Sequence, residues 1–495
     1  MSEISGRCGS STAALLVVCE RLRSFACHWA GFWEKIIGVL AMLFRCSSIA
    51  LILWAFGATC AQSASLRDAV ETAVLTNPDI LESAAQRRVR DLELRASQSA
   101  FLPKLSLSAS FGAERFRKGR STAPDQWRAG KQLRVEAEQL LYDGFGSVNE
   151  IYRQSARVDG AALRVLERSE AIALDAVEAY IDVLRHQEIL KKSKDNTALH
   201  ERLVQEVKER FEGGQTGSSD LAQVQERLAA TRMITASVRK SLLDAMAKYR
   251  RVVGEAPNNL SAVSVANAGV VKSLSSALAL SRQSNPLILS AQAETDAAGF
   301  ALEKSRSALL PRVSLNGSAN FGDDLNGYDG RSDDYRIMVR VSWNIYSGGY
   351  ERAMQGRAAA QFTEAQVRTD RIRRQTDEAV EQAWASVQTT QERIAALQQT
   401  VAANQRVVSG YRQEYSIGQR SLLDVLNAEN ALFNSRIDLV SAEYVLKFST
   451  YQLQGTTGNL LAMFGIAPPP EARADRRVTA SIFPQSDGFE LEPLR

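Results

Sequence analysis

The sequence predicts a mainly helical protein written twice, each half a helix–strand–strand–helix–helix unit whose strands belong to a membrane β-barrel. Three observations lead there. Short motifs recur at constant offsets, two segments in each half alternate apolar and polar residues, and long stretches between them repeat apolar residues every seven.

The repeat comes first. Asn77-Pro78 returns as Asn285-Pro286, and Phe101-Leu-Pro-Lys-Leu-Ser-Leu107 as Leu309-Leu-Pro-Arg-Val-Ser-Leu315, both 208 residues on. Leu141-Tyr-Asp-Gly144 returns as Ile345-Tyr-Ser-Gly348, Gly214-Gln215 with Asp220 as Gly418-Gln419 with Asp424, and Gly254 as Gly458, all 204 residues on. The offset changes only between the strands, where a loop absorbs it. This is a tandem duplication, with a first repeat over 65–259 and a second over 260–467.

Asn-Pro breaks each leading helix early and Pro103 or Pro311 ends it, giving helices over 66–101 and 274–309. Strands are expected at 104–116, 132–142, 312–322 and 334–346. Leu105, Leu107, Ala109 and Phe111 alternate with serines; Leu133, Val135 and Ala137 with Arg134, Glu136 and Glu138; Tyr335, Ile337, Val339, Val341, Trp343 and Ile345 with polar residues. One apolar and one strongly polar face suit a soluble sheet with a solvated side or, better, a barrel with lipid outside and water inside. About ten residues is the length a tilted strand needs to cross a bilayer. Four strands cannot close a barrel, since about eight is the practical minimum, so the barrel must be shared between subunits.

Long helices are expected at 146–212 and 350–416, each returning through a shorter one at 219–253 or 422–457. Ile151, Val158, Val165, Ile172 and Ala179 repeat every seven, as do Val380, Val387, Ile394, Val401 and Val408. Heptads specify coiled-coil packing. A rod is one reading; hairpins alternating with strands favour the wall of a tube.

Composition excludes several classes. Sixty basic against 56 acidic residues leave a net charge of +4 with no basic block, which argues against a nucleic-acid partner. Cys8, Cys19, Cys27, Cys46 and Cys60 all fall in the first sixty residues, so the chain beyond has neither disulfides nor thiolate sites. His28, His186 and His200 are the only histidines, too few for a metal cluster, and the last two are expected on solvated helix faces. Residues 1–64 read as a leader. Arg45 precedes an apolar core at 49–58, and small residues follow it. Residues 1–41 are either an over-extended start or a long n-region. The core is shorter than the roughly 20 residues of a spanning helix. Cys60 lacks the usual lipidation pattern before it. Residues 468–495, after Pro468-Pro-Pro470, read as a flexible tail.

Each hairpin turn ends its incoming helix on glycine (Gly214, Gly418) and starts the next with Ser and Asp. Gly213–Gly217 lacks the Lys-Ser/Thr of a phosphate loop. Asp220 and Asp424 are, first of all, ordinary first-turn acids favourable to a helix dipole.

At Tyr415-Ser-Ile-Gly-Gln-Arg-Ser-Leu-Leu-Asp-Val-Leu-Asn427, supported by Leu-Tyr-Asp-Gly and Ile-Tyr-Ser-Gly, the chain resembles the TolC-like outer-membrane channel family over about residues 65–465. The resemblance implies a homotrimer in the outer membrane, with a twelve-stranded barrel and a twelve-helix periplasmic tunnel. It also implies an exit duct served by a periplasmic adaptor and an inner-membrane ABC transporter or other pump, with no cofactor and no enzymatic activity. It places a periplasmic gate on Asp220, Tyr415 and Arg420. It places a carboxylate ring at the entrance on Asp424 and position 427, where this chain departs with Asn427; three amides make a far weaker field than three carboxylates. Type I protein secretion is the reading preferred for cargo. Multidrug efflux on the same fold and a soluble periplasmic coiled-coil scaffold are the alternatives.

Overall fold

The computed structural model describes residues 65–115, 127–264, 271, 273–325, 330–479 and 481–482. The leader with its signal core and Cys60, and the last residues from 483, lie outside the described residues.

The first repeat runs α1 (Leu66–Thr76), α2 (Pro78–Gln98), β1 (Lys104–Arg115), β2 (Trp127–Tyr142), α3 (Gly146–Glu212) and α4 (Ser218–Val253). The second runs α5 (Leu274–Ser284), α6 (Pro286–Arg306), β3 (Arg312–Asp323), β4 (Arg331–Ser342), α7 (Tyr350–Ser416) and α8 (Leu422–Thr457). Two short helices follow, α9 (Leu460–Phe464) and α10 (Arg476–Thr479). Matching helices have equal lengths: 11, 21, 67 and 36 residues in each half. At 1.5 Å per residue α3 and α7 are each about 100 Å long.

The Asn-Pro breaks have the same chemistry twice. Asn77 accepts from Asp79 N at 3.0 Å, capping α2, while its amide donates to Val252 O at 3.0 Å across the fold. Asn285 caps α6 through Leu287 N at 2.9 Å and donates to Thr456 O at 2.8 Å. Each Asn thus fastens a leading helix to the end of its own return helix.

The four strands form one antiparallel sheet in the order β1-β2-β3-β4. Two strands differ from expectation. β2 starts at Trp127 instead of 132, because Ala129, Gly130 and Lys131 break the apolar alternation yet still pair with β1. β4 runs from Arg331 to Ser342 instead of 334–346: Arg331 and Asp333 are charged but paired, whereas Trp343–Tyr346 have no strand partner among the described residues, β3 having begun at Arg312.

The main core lies beside the middle of α3. Val177, Tyr180 and Val183 are enclosed by Val70 and Val74 of α1, Val252 of α4, and Leu460 and Leu461 of α9. The two 67-residue helices fare differently: α3 buries 27 residues and α7 only 7. Among the described residues the first is surrounded within its own chain, while the second is largely exposed.

Two expectations are corrected. His200 is 3% exposed, with Nδ1 2.9 Å from Asn196 O, and so is not on a solvated face; His186 is part-buried. The tail is not free over its described part: Glu471 pairs with Arg88 at 2.8 Å and Arg477 with Asp159 at 3.0 Å. The tail lacks periodicity, and its contacts, made through Glu471 and Arg477 side chains and the N–H groups of Arg476 and Arg477, leave no pattern in the sequence. Among the described residues no helix is long and apolar enough to cross a membrane.

Candidate functional site

The sheet sorts its side chains by face. Register aligns Leu105, Ala137, Gly317 and Ile337 in one row; Leu107, Val135, Ala319 and Tyr335 in the next; then Ala109, Leu133, Phe321 and Asp333. Among the described residues much of this face is open: Leu107 is 70% exposed and Ile337 82%, as is Val339 of the next row at 62%, while Val135, Ala319 and Phe321 are half-buried. The opposite face aligns Ser106, Glu136, Ser318 and Arg336, then Ser108, Arg134, Asn320 and Asp334. Here a polar ladder crosses the strands: Arg134 Nε donates to Asn320 Oδ1, Asn320 Nδ2 to Asp334 Oδ2 at 3.1 Å, and Arg336 pairs with Asp334 at 2.9 Å. The next row, Phe111, Lys131, Asp323 and Arg331, is charged on three of its four strands and ends the apolar belt. At its other end Trp343 donates its indole N–H to Leu309 O at 3.1 Å. From Trp343 to Asp333 is about 33 Å along a strand, or about 25 Å in height at a tilt of about 40°, the height of an outer-membrane apolar band.

The paired turns close the far end of the helices. Both use a left-handed glycine, Gly214 at φ 72° and Gly418 at φ 79°, and the next N–H reaches back into the helix: Gln215 N to Arg210 O and Gln419 N to Glu414 O, both 2.9 Å. An L side chain is strained there. A small apolar cluster of Val207, Val224, Leu422 and Leu426 joins the two turns, and Tyr415 packs against it. The Arg210 guanidinium lies 4.8 Å from the Tyr415 ring centroid. Burial pushes the Tyr415 hydroxyl above its ordinary value, against the Arg210 charge; Glu206 and Asp220 push it further up.

Within one chain Asp220 and Arg420 are held apart. Asp220 Oδ2 accepts from Thr216 Oγ1. Arg420 is kept in its own turn, with Nε donating to Glu414 at 2.8 Å, Nη1 3.9 Å from Asp424 and the guanidinium 4.2 Å from the Tyr411 ring centroid. Asp220 thus disfavours the ionised form of Tyr415, and among the described residues Arg420 pairs with Glu414 and Asp424, not with Asp220. Asp424 closes a cap with Ser421, donating its N–H to Ser421 Oγ at 3.2 Å and accepting from it at 2.8 Å. Asn427 accepts from Arg227 Nη2 at 3.4 Å. Sequence reading missed Arg210, Arg227 and Glu414, which lie outside the turn motifs. Higher up, a cleft of about 650 Å³ opens between α3, α7 and α8, with Arg202, Arg412 and Arg436 in its lining.

A two-faced sheet with open edges, continued by hairpins about 50–100 Å long, defines an outer-membrane channel protein. The chain belongs to the outer membrane efflux protein family, whose pattern it matches over residues 69–255 and 277–459. It is 28% identical over 403 residues to the outer membrane efflux protein BepC of Brucella suis, covering 81% of this chain and 87% of that one. To the alkaline protease secretion protein AprF of Pseudomonas aeruginosa it is 23% identical, covering 80% of this chain and 85% of the relative. The fold is that of the crystal structure of the outer membrane protein VceC from Vibrio cholerae, with a TM-score of 0.69 at 17% identity over 82% of this chain and 97% of that one. The chain is therefore an outer-membrane transport channel of the TolC-like kind, not an enzyme.

Proposed function

We propose that three copies of this chain form a passive exit duct for a tripartite export machine, most of all for type I protein secretion. The observation that carries the reading is the incompleteness of the single chain: among the described residues β1 and β4 are unpaired at their outer edges, the apolar belt is exposed, and α7 buries 7 residues where α3 buries 27. A bare sheet edge in lipid leaves N–H and C=O groups unpaired at several kcal/mol each, which only closure relieves. β1 of one copy against β4 of the next closes a barrel of twelve strands, and the open side of α7 receives the neighbour's helices. The duct harvests no energy itself. An adaptor docks near the turns, and an ABC transporter drives the cargo.

Secretion is supported by the likeness to AprF, named for protease secretion. Multidrug efflux is the second reading, favoured by the likeness to BepC, named for efflux. The gate is Asp220, Tyr415 and Arg420, with Arg420 leaving Glu414 to reach Asp220 of a neighbouring copy. Asp424 alone supplies the entrance ring; the Arg227 donor beside Asn427 weakens its cation attraction further. Photo-cross-linkers at 211–220 and 415–424 in intact cells test the assignment. Capture of an ABC transporter's adaptor is expected; capture of a proton-driven pump's adaptor alone would replace secretion with efflux.

A further inference from the structure

Two buried carboxylates stand on one face of α3. Asp159 is 1% exposed and Glu170 7%. They are eleven residues apart, about three turns, which returns them to within about 20° of one line along the helix. Each binds consecutive backbone N–H groups of the C-terminal segment. Glu170 Oε2 accepts from Leu460 N at 3.1 Å and Leu461 N at 3.4 Å. Asp159 accepts from Arg476 N at 2.8 Å and Arg477 N at 2.9 Å. The Arg477 side chain completes the second site, donating from Nε to Asp159 at 3.0 Å and from Nη1 to Asp296 of α6 at 2.5 Å.

Between and beyond these anchors the segment stays attached. Glu471 pairs with Arg88 of α2 at 2.8 Å, Gln98 donates to Ser481 O at 2.8 Å, and Ile482 packs on the Leu94–Ile151–Val158 cluster at the barrel end of the helices. The duplication provides an internal control. At the 204-residue offset, Asp159 and Glu170 correspond to Thr363 and Arg374 of α7, so the second repeat has neither acid. A buried carboxylate is costly unless donors answer it, and here the donors come from the segment itself.

We propose that residues 459–479, with Ser481 and Ile482 beyond, are a strap locked onto α3 by Asp159 and Glu170 and fastened across to α6 by Arg477, holding the two repeats in register along that seam. The strap does not depend on the transport reading. Its seat exists only on the first repeat, which accounts for part of the burial that α7 lacks.

Hydrogen–deuterium exchange on the full chain in detergent tests it amide by amide. In the unaltered protein the amides of 460–461 and 476–477 exchange slowly. Asp159→Asn quickens exchange over 474–479 on the order of tenfold and leaves 459–464 unchanged; Glu170→Met, similar in volume but without an acceptor, does the reverse. Arg477→Ala removes a part-exposed side chain, spares the fold and still loosens 474–479. If Asp159→Asn fails to fold, Arg477→Ala decides. Unchanged exchange at 474–479 in Arg477→Ala, or fast exchange there in the unaltered protein, overturns the strap.

Discussion

Neighbouring residues on β4 make the sharpest test of which face meets lipid. Ile337 is 82% exposed in a row with Leu105, Ala137 and Gly317; Met338, next in the chain, faces the other way in a row with Lys104, Glu138 and Asn316. Ile337 lies four residues from Asp333 and six from Trp343, near the middle of a belt about 25 Å high. An arginine at the midplane of a barrel's lipid face costs about 2–4 kcal/mol. That is roughly 30- to 700-fold in the folding equilibrium at about 1.4 kcal/mol per tenfold. Met338→Arg places the same charge beside Glu138 in water and is expected within about 0.5 kcal/mol of the parent. The assay is urea titration of folding into lipid vesicles, followed by tryptophan fluorescence. Equal midpoints for the two variants would refute the assignment of faces, because in a sheet wet on both sides the two positions are equivalent.

Three further outcomes follow from particular groups. Burial raises the Glu170 carboxyl to about 7, against the N–H groups of Leu461 and Leu460, and an upward shift means its stabilising contribution is full below pH 4.5 and is lost as pH climbs through 7. Thermal unfolding should therefore show the melting temperature falling from pH 5 to 8 more steeply in the parent than in Glu170→Gln; parallel slopes contradict this. Gly458 and Gly254 are equivalent in the repeat, but a Cβ at Gly458 meets Pro286 Cδ at 2.8 Å and Asn285 Cα at 2.9 Å, whereas at Gly254 the nearest atom is Thr76 Oγ1 at 3.7 Å. Both sit at positive φ, so Gly254→Ala costs about 1–2 kcal/mol of strain and Gly458→Ala a further ~1–3 for overpacking; equal melting temperatures would count against the packing. For the gate, Arg420→Ala and Asp220→Ala should each raise single-channel conductance, and no change in either removes the latch.

The helical frame was legible because duplication and heptads are long-range signals that tolerate local error. Equal helix lengths in the two halves follow from the same Asn-Pro, Gly and Asp punctuation. Strand ends were less legible: pairing, not hydropathy, decides them, so Lys131 joins a strand although it is charged and Ile345 leaves one although it alternates. The turns were found from Gly and Asp spacing, but Arg420's partner within the chain, Glu414, was not, because a contact six residues away around a turn has no periodic signature. The strap was invisible for a similar reason. Asp159 looks like a solvated helix acid, and what buries it is backbone arriving from more than 300 residues away.

The central claim is that copies of this chain enclose a water-filled path through a membrane. Purified protein without its leader, added to a planar lipid bilayer, measures this directly. The account predicts that it needs detergent to stay in solution, runs as a trimer, and inserts to give discrete ohmic steps that Arg420→Ala enlarges. A mature chain that is monodisperse in plain buffer, and leaves the bilayer silent at every concentration, would contradict it and return the soluble coiled-coil scaffold to first place.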